Sequence, residues 1–161
     1  MLEVRCVDTA EELAAVRALI RAHAAALRQH KGTALVLADA AGLPGPYAPP
    51  RGRLYLARLD GVPAGCVALH PLDAATGEVK RMFVHDAARR RGVARALMVR
   101  LLDDARALGY LRLRLGTLDE MTAAQQLYRS LGFREIPGYR ADEPVDTVFF
   151  ECDLTRTIAG H

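Results

Sequence analysis

The sequence predicts an α/β fold: a mixed central sheet of about six to seven strands, an antiparallel meander followed by a parallel pair, flanked by about four helices. Three observations carry that prediction. The chain opens on an alternating segment followed by a helical apolar stripe, its middle holds three consecutive strand-like segments with tight turns, and its second half alternates strand and helix with glycine stops. At 161 residues it is read as one domain over 1–161, long enough to enclose a sizeable core.

In order, "LEVRCV" alternates apolar and polar residues as a half-buried strand does. Thr9 with Glu12 three residues on forms a capping box, in which each side chain can satisfy the other's backbone N–H, so a helix opens there. Its stripe runs through Leu13, Val16, Leu19, Ile20, Ala24 and Leu27 and fades near Lys31–Gly32. Residues 33–50, ending "GLPGPYAPP", predict a short helix or turn and then an ordered loop. "RLYLARL" and "VPAGCVALHPL" flank Asp60–Gly61, a hairpin signal because both turn positions favour residues that tolerate positive φ. "DAATG" turns the chain into "EVKRMFVH", a third strand. After Gly92 a helix runs to Leu108 and stops at Gly109; "YLRLRLGT" is a strand with a leucine face and an arginine face. "MTAAQQLYRSL" is a helix ending at Gly132, and "FREI" and "TVFFECDL" supply two more strands, the last expected at an exchangeable edge. The tail "TRTIAGH" is expected to fray.

Composition excludes several classes. A formal net charge of +3 without interleaved aromatic surface argues against nucleic-acid binding. Only Lys31 and Lys80 of its 22 basic residues are lysines, and in a chain this rich in alanine that arginine bias is not read as function. No apolar run approaches the roughly 20 residues of a membrane span, so no membrane role is expected. Cys6, Cys66 and Cys152 are odd in number and widely spaced, which suits neither a disulfide framework nor a metal site. A cytoplasmic location and no metal requirement are therefore expected.

"RRRGVA", Arg89 to Ala94, raises the functional question. The strand 78–85 and the strand 110–117 are joined by one helix, so they should run parallel through a right-handed crossover. Ligands in such sheets bind beyond the carboxyl ends of the strands, where the crossover helix starts. A helix N-terminus offers unpaired N–H groups and positive partial charge, and glycine admits close approach. The loop is thus a candidate anion cradle, although three arginines can also form a plain solvated turn. It is neither a Walker loop nor a dinucleotide fingerprint, since GxxxxGK[ST] and GxGxxG are both absent.

Arg89-Arg90-Arg91-Gly92-Val93-Ala94 is similar to R/Q-x-x-G-x-G/A, the pyrophosphate-binding motif of the GNAT superfamily of acyl-CoA-dependent N-acyltransferases. "AAQQLYRSLGF" resembles that family's A-x-x-L-Y-x-x-x-G-F block, and the order of elements matches over the whole chain. The resemblance implies that the parallel strands splay and that acetyl-CoA is the acyl donor. It implies that the backbone of Met82, Phe83 and Val84 pairs with the pantetheine arm. The amides of the loop reaching from Arg90 to Arg95, with Arg89, Arg91, Gly92, Val93 and Ala94, would hold the pyrophosphate. A bulge in the strand would turn an amide toward the acetyl carbonyl.

Two catalytic residues follow from the same resemblance. Tyr128 matches the tyrosine that protonates the departing thiolate, and a phenol near pKa 10 can donate at neutral pH. Packed among Leu127 and Leu131 it also reads as a core aromatic. Glu78 matches the glutamate that deprotonates the amine, directly or through water; it also suits substrate recognition or an exposed strand end. His70, beside a proline, and His85 read first as structural, whereas Tyr47 and Tyr139 sit on loops expected to border an acceptor cleft. The segment "TLDEMTAAQQ" lacks the asparagine common in the family, which removes one cofactor contact. The expected function is direct transfer of acetyl from acetyl-CoA to a primary amine of a small molecule. A protein or peptide lysine or N-terminal acetyltransferase, and a non-catalytic acyl-CoA-binding module, remain as alternatives. A homodimer is allowed by analogy with the family.

Overall fold

The structure, a computed structural model, describes residues 1–27, 33–143 and 145–156. The helix end expected near Lys31–Gly32, the side chain of Leu27 and the tail beyond Arg156 lie outside the described residues.

Among the described residues, seven strands form one sheet: β1 (Leu2–Cys6), β2 (Arg53–Leu59), β3 (Val62–Pro71), β4 (Thr76–Val84), β5 (Arg112–Leu118), β6 (Arg134–Ile136) and β7 (Thr147–Asp153). Among the described residues, four α-helices flank it: α1 (Ala10–Leu27), α2 (Thr33–Ala41), α3 (Val93–Ala107) and α4 (Thr122–Ser130). The spatial order is β1-β2-β3-β4-β5-β7-β6. β2 to β4 form the expected antiparallel meander, β1 adds to it antiparallel to β2, and β4 pairs with β5 in parallel. β7 inserts between β5 and β6, so the edge placement expected for "TVFFECDL" is corrected: β1 and β6 form the edges. The short β6 hairpins back onto β7 and hides that strand's second side.

Local chemistry accounts for the elements. Glu12 N donates to Thr9 Oγ1, and Thr9 N donates to Glu12 Oε1, both at 3.1 Å, completing the capping box. Asp60 and Gly61 both take positive φ, 52° and 82°, as a tight hairpin turn requires. Period-two alternation sends Leu54, Leu56, Cys66 and Ala68 to one face of the sheet, where they pack with Val16 and Ile20 of α1. Tyr55, Val67 and Leu69 take the other face, against Leu97, Leu101 and Leu102 of α3. Both faces are covered, which is why the central strands read as nearly continuous apolar runs.

β4 is irregular on both of its sides. The parallel ladder with β5 holds at Thr76–Arg112, Gly77–Leu113 and Glu78–Arg114, beyond which the strands diverge. On the β3 side, Cys66 pairs with Phe83 while Ala68 pairs with Lys80, so Arg81 and Met82 together oppose Val67. That is the expected bulge, and Arg81 takes φ +57° within it.

Candidate active site

The divergence of β4 and β5 opens a cleft of about 870 Å³ that passes through the sheet. Val79 to Met82 form one bank and Leu115 to Leu118 the other. On the α4 side it reaches Tyr128; on the α1–α2 side it widens into a polar chamber bordered by His23, Asp39, Tyr47, His70, Arg81 and Arg140. The strand edge facing β5 is free past Glu78, so the backbone of Met82, Phe83 and Val84 can pair with an extended ligand as a neighbouring strand would. Of those three, Met82 lines the cleft itself.

Glu78 is 1% exposed and receives three hydrogen bonds. His70 Nε2 and Tyr139 Oη lie at 2.7 Å from its carboxylate oxygens, and Arg140 donates at 2.5 Å. Burial alone would raise the Glu78 carboxyl. Hydrogen bonds from His70 and Tyr139, with the charges of Lys80 and Arg140, instead bring it below its ordinary value. Glu78 is absent from the cleft wall; two of its donors, His70 and Arg140, stand there. With Nε2 of His70 donating to Glu78, Nδ1 is the acceptor nitrogen, and it has no partner among the described residues. Tyr47 stacks edge-on against the His70 ring at 5.8 Å and fixes its plane.

Tyr128 serves as both core aromatic and cleft wall. It is 4% exposed and packs against Phe133 and Phe150, with centroids at 5.8 and 6.4 Å. Its hydroxyl has no hydrogen-bond partner among the described residues, and burial pushes its pKa upward, which keeps it protonated. Cys66 lies in the core, its thiol donating to the Arg81 carbonyl at 3.4 Å, and burial pushes that thiol up to about 12.

The arginine loop lies outside this cleft's wall and has its own geometry. His85 caps the turn before it, its Nδ1 accepting from Ala87 N at 3.3 Å. Arg90 and Gly92 both take positive φ, 64° and 80°. This winding leaves the backbone N–H groups from Arg90 to Arg95 without an acceptor among the described residues; the first bond of α3 is Ala96 N to Gly92 O. A Cβ on Gly92 would meet no protein atom within 4 Å, so glycine here leaves room for something other than protein. Unpaired amides at a helix start, with exposed Arg89, Arg90 and Arg91 around them, suit a pyrophosphate. Val93 contributes only its amide, since its side chain is buried in the core, and Arg95 turns away to Ser130 Oγ at 2.8 Å.

The acetyltransferase (GNAT) family model matches residues 38–133, a span holding the loop, the bulge and Tyr128. The chain belongs to the GNAT acetyltransferase family. As a member it is an acetyl-CoA-dependent acyltransferase. An uncharacterized N-acetyltransferase of Schizosaccharomyces pombe is 30% identical over 112 residues, 68% of this chain and 69% of that protein. An N-acetylaspartate synthetase of Danio rerio is 34% identical over 123 residues, 70% of this chain but only 43% of its relative's length. A Salmonella typhimurium chain solved with its cofactor acetyl-CoA superposes with a TM-score of 0.72 at 22% identity, covering 100% of this chain and 98% of that one.

Within this GNAT enzyme, the expected residues divide between two places. Tyr128, Met82 and the chamber with Glu78 behind its wall lie along the cleft, while Arg89 to Arg95 form the loop at its side. Asp39, Arg81 and Arg140 escaped the sequence reading. Arg81 sits in a strand where period-two alternation would make it one more polar position, and only the bulge turns it into the chamber.

Proposed function

We propose that the protein transfers acetyl from acetyl-CoA to the primary amine of a small molecule, by direct attack with both substrates bound. One observation carries this reading: a single cleft joins the free edge of β4 and the Tyr128 hydroxyl to a polar chamber across the sheet. Loop amides from Arg90 to Arg95 hold the pyrophosphate, and the β4 edge holds the arm. The bulge at Arg81–Met82 offers an amide to the acetyl oxygen, where negative charge develops.

The amine nitrogen attacks the thioester carbon, forming the C–N bond as the C–S bond breaks. Tyr128 gives its hydroxyl proton to the departing sulfur. His70 takes the amine's proton at Nδ1, with Glu78 holding the imidazole by Nε2 and balancing the charge that forms. Solvent then takes the proton held by His70 and returns one to Tyr128, which restores both groups. In this reading Glu78, expected to be the base itself, instead positions the base, since its own oxygens already accept from three donors. With the thiol of Cys66 held protonated in the core, direct transfer is preferred over a covalent enzyme intermediate.

A small acceptor fits because α2 and the following turn roof the chamber, through Val36, Asp39, Pro46 and Tyr47. The similarity to N-acetylaspartate synthetases supports the same reading. Three free cysteines suit a cytoplasmic location. Thiol release from acetyl-CoA, measured with a panel of small primary amines and a lysine-containing peptide, tests the proposal. Turnover of a small amine is expected, with Tyr128→Phe lowering kcat by about 10²-fold or more at nearly unchanged KM for acetyl-CoA. Turnover of the peptide alone, or of nothing, overturns it.

A further inference from the structure

Among the described residues, Lys80, Arg81 and Arg140 border the cleft as cations, and they differ in what remains of their hydrogen-bonding capacity. Arg140 has a carboxylate on each of its three nitrogens: Nε and one terminal nitrogen bind Asp142 at 2.9 Å each, and the other terminal nitrogen binds Glu78 at 2.5 Å. Lys80 is paired with Glu143 at 2.9 Å. Arg81 is different. It is held at one point only, Nε to Asp39 Oδ2 at 2.8 Å, and Asp39 is itself fixed by the Tyr47 hydroxyl at 2.6 Å. The two terminal nitrogens of Arg81 have no partner among the described residues, although the side chain is only 14% exposed and lies on the chamber wall.

A guanidinium pinned through Nε keeps the edge between its terminal nitrogens free, and that edge matches the two oxygens of a carboxylate. Because Asp39 and Tyr47 have already fixed the side chain, a ligand would find it oriented and little rotamer freedom would be lost on binding. The charge is felt nearby: burial lowers His23 to about 4, and Arg81 is the charge that pushes it further the same way. His23 therefore stays neutral, and the chamber offers an anion one defined partner.

Position then narrows the ligand. Arg81 lies in the bulge beside the β4–β5 opening, so its side chain leaves the backbone where the acetyl group is to be attacked. An acceptor gripped there must carry its anion close to its amine. We propose that Arg81 binds the carboxylate of the acceptor, and that the acceptor class is amino acids, with amine and carboxylate on one carbon or nearly so. This rests on the acetyltransferase reading above and names the acceptor for the same site.

The test separates binding from turnover. Calorimetry with desulfo-CoA already bound measures amino acids, their amides and the matching decarboxylated amines on the wild type, Arg81→Met and Arg81→Lys. Amino acids from the alanine, aspartate and phenylalanine series serve as probes, and thermal melting checks that each variant is folded. The wild type is expected to bind at least one amino acid 30-fold or more tighter than its amide and its amine. Arg81→Met should erase that difference, Arg81→Lys should retain part of it, and Asp39→Asn should weaken it by freeing the guanidinium. Equal binding of all three ligand forms, no binding of any of them, or a preference that survives Arg81→Met overturns the carboxylate site. Turnover measured alongside keeps the two readings apart. Acetylation of amines without regard to a carboxylate removes this inference and leaves the acetyltransferase standing. Carboxylate-dependent binding without turnover removes the proposed transfer and leaves the site.

Discussion

Glu78 is the residue on which the two sides of the chamber depend. With a hydrogen bond from His70 on one oxygen and from Tyr139 on the other, it fixes a cleft-wall imidazole and the loop that carries Arg140. Its folded pKa lies below its ordinary value of 4.5, so the ionised form is the one the fold prefers. The stabilisation is therefore fully present above about pH 4.5 and is lost as pH falls through the lower folded value. Glu78→Gln should melt below the wild type at pH 7, by a margin that shrinks as both are taken to pH 3. Melting curves across that range check it, and a constant margin would mean that the carboxylate charge contributes nothing. Activity should separate the same residues: His70→Asn lowers kcat strongly, whereas direct catalysis by Glu78 would leave His70→Asn near wild-type kcat. Glu12 obeys the same sign. Backbone and side-chain contacts with Asp8 and Thr9, and Arg5, hold it near 2 against the penalty of burial, so its contribution also fades in acid.

At the scale of elements, β4 and the start of α3 carry the site. β4 contributes its free edge, its bulge and, at its buried end, Glu78. The bulge needs close packing behind it: a Cβ on Gly65 would lie 2.8 Å from the Phe83 carbonyl and 3.0 Å from Val93, so glycine lets β4 and α3 approach β3 there. Gly92 acts differently, because nothing of the protein stands near its missing Cβ. Gly92→Ala should cost stability by the left-handed backbone alone, on the order of 1–2 kcal/mol, as φ is +80°. Its effect on acetyl-CoA affinity should exceed that, because the methyl group occupies the space left to the pyrophosphate. Denaturant melts and calorimetry on the same variant check both, and an unchanged affinity would place the pyrophosphate elsewhere.

At the scale of the molecule, the elements were largely legible from the sequence and the chamber was not. Capping box, hairpin turn and glycine stops depend on contacts a few residues apart, so Thr9, Glu12, Asp60, Gly61 and Gly109 announce themselves. Chain order likewise gave the meander and the parallel crossover. β7 was misplaced because sheet order depends on which strand covers β5, and nothing local in "TVFFECDL" encodes that. Within the proposed site, the loop at Gly92 and Tyr128 were expected from family resemblance alone. The partners of Glu78 and the setting of Arg81 could not be read, because Asp39, His70 and the adjacent pair Tyr139–Arg140 come from three separate segments that meet only when the sheet assembles. Binding of acetyl-CoA by the sheet's opening and the Gly92 loop together underlies every step proposed for the enzyme. A thermal-shift titration with acetyl-CoA, desulfo-CoA and ATP, on the wild type and on Gly92→Glu, decides whether it occurs. At 100 times its dissociation constant a ligand stabilises by about 2.7 kcal/mol. Stabilisation of that order by both CoA species, little by ATP and loss in Gly92→Glu is the predicted result. No shift with acetyl-CoA at millimolar concentration, or an equal shift in Gly92→Glu, would contradict it.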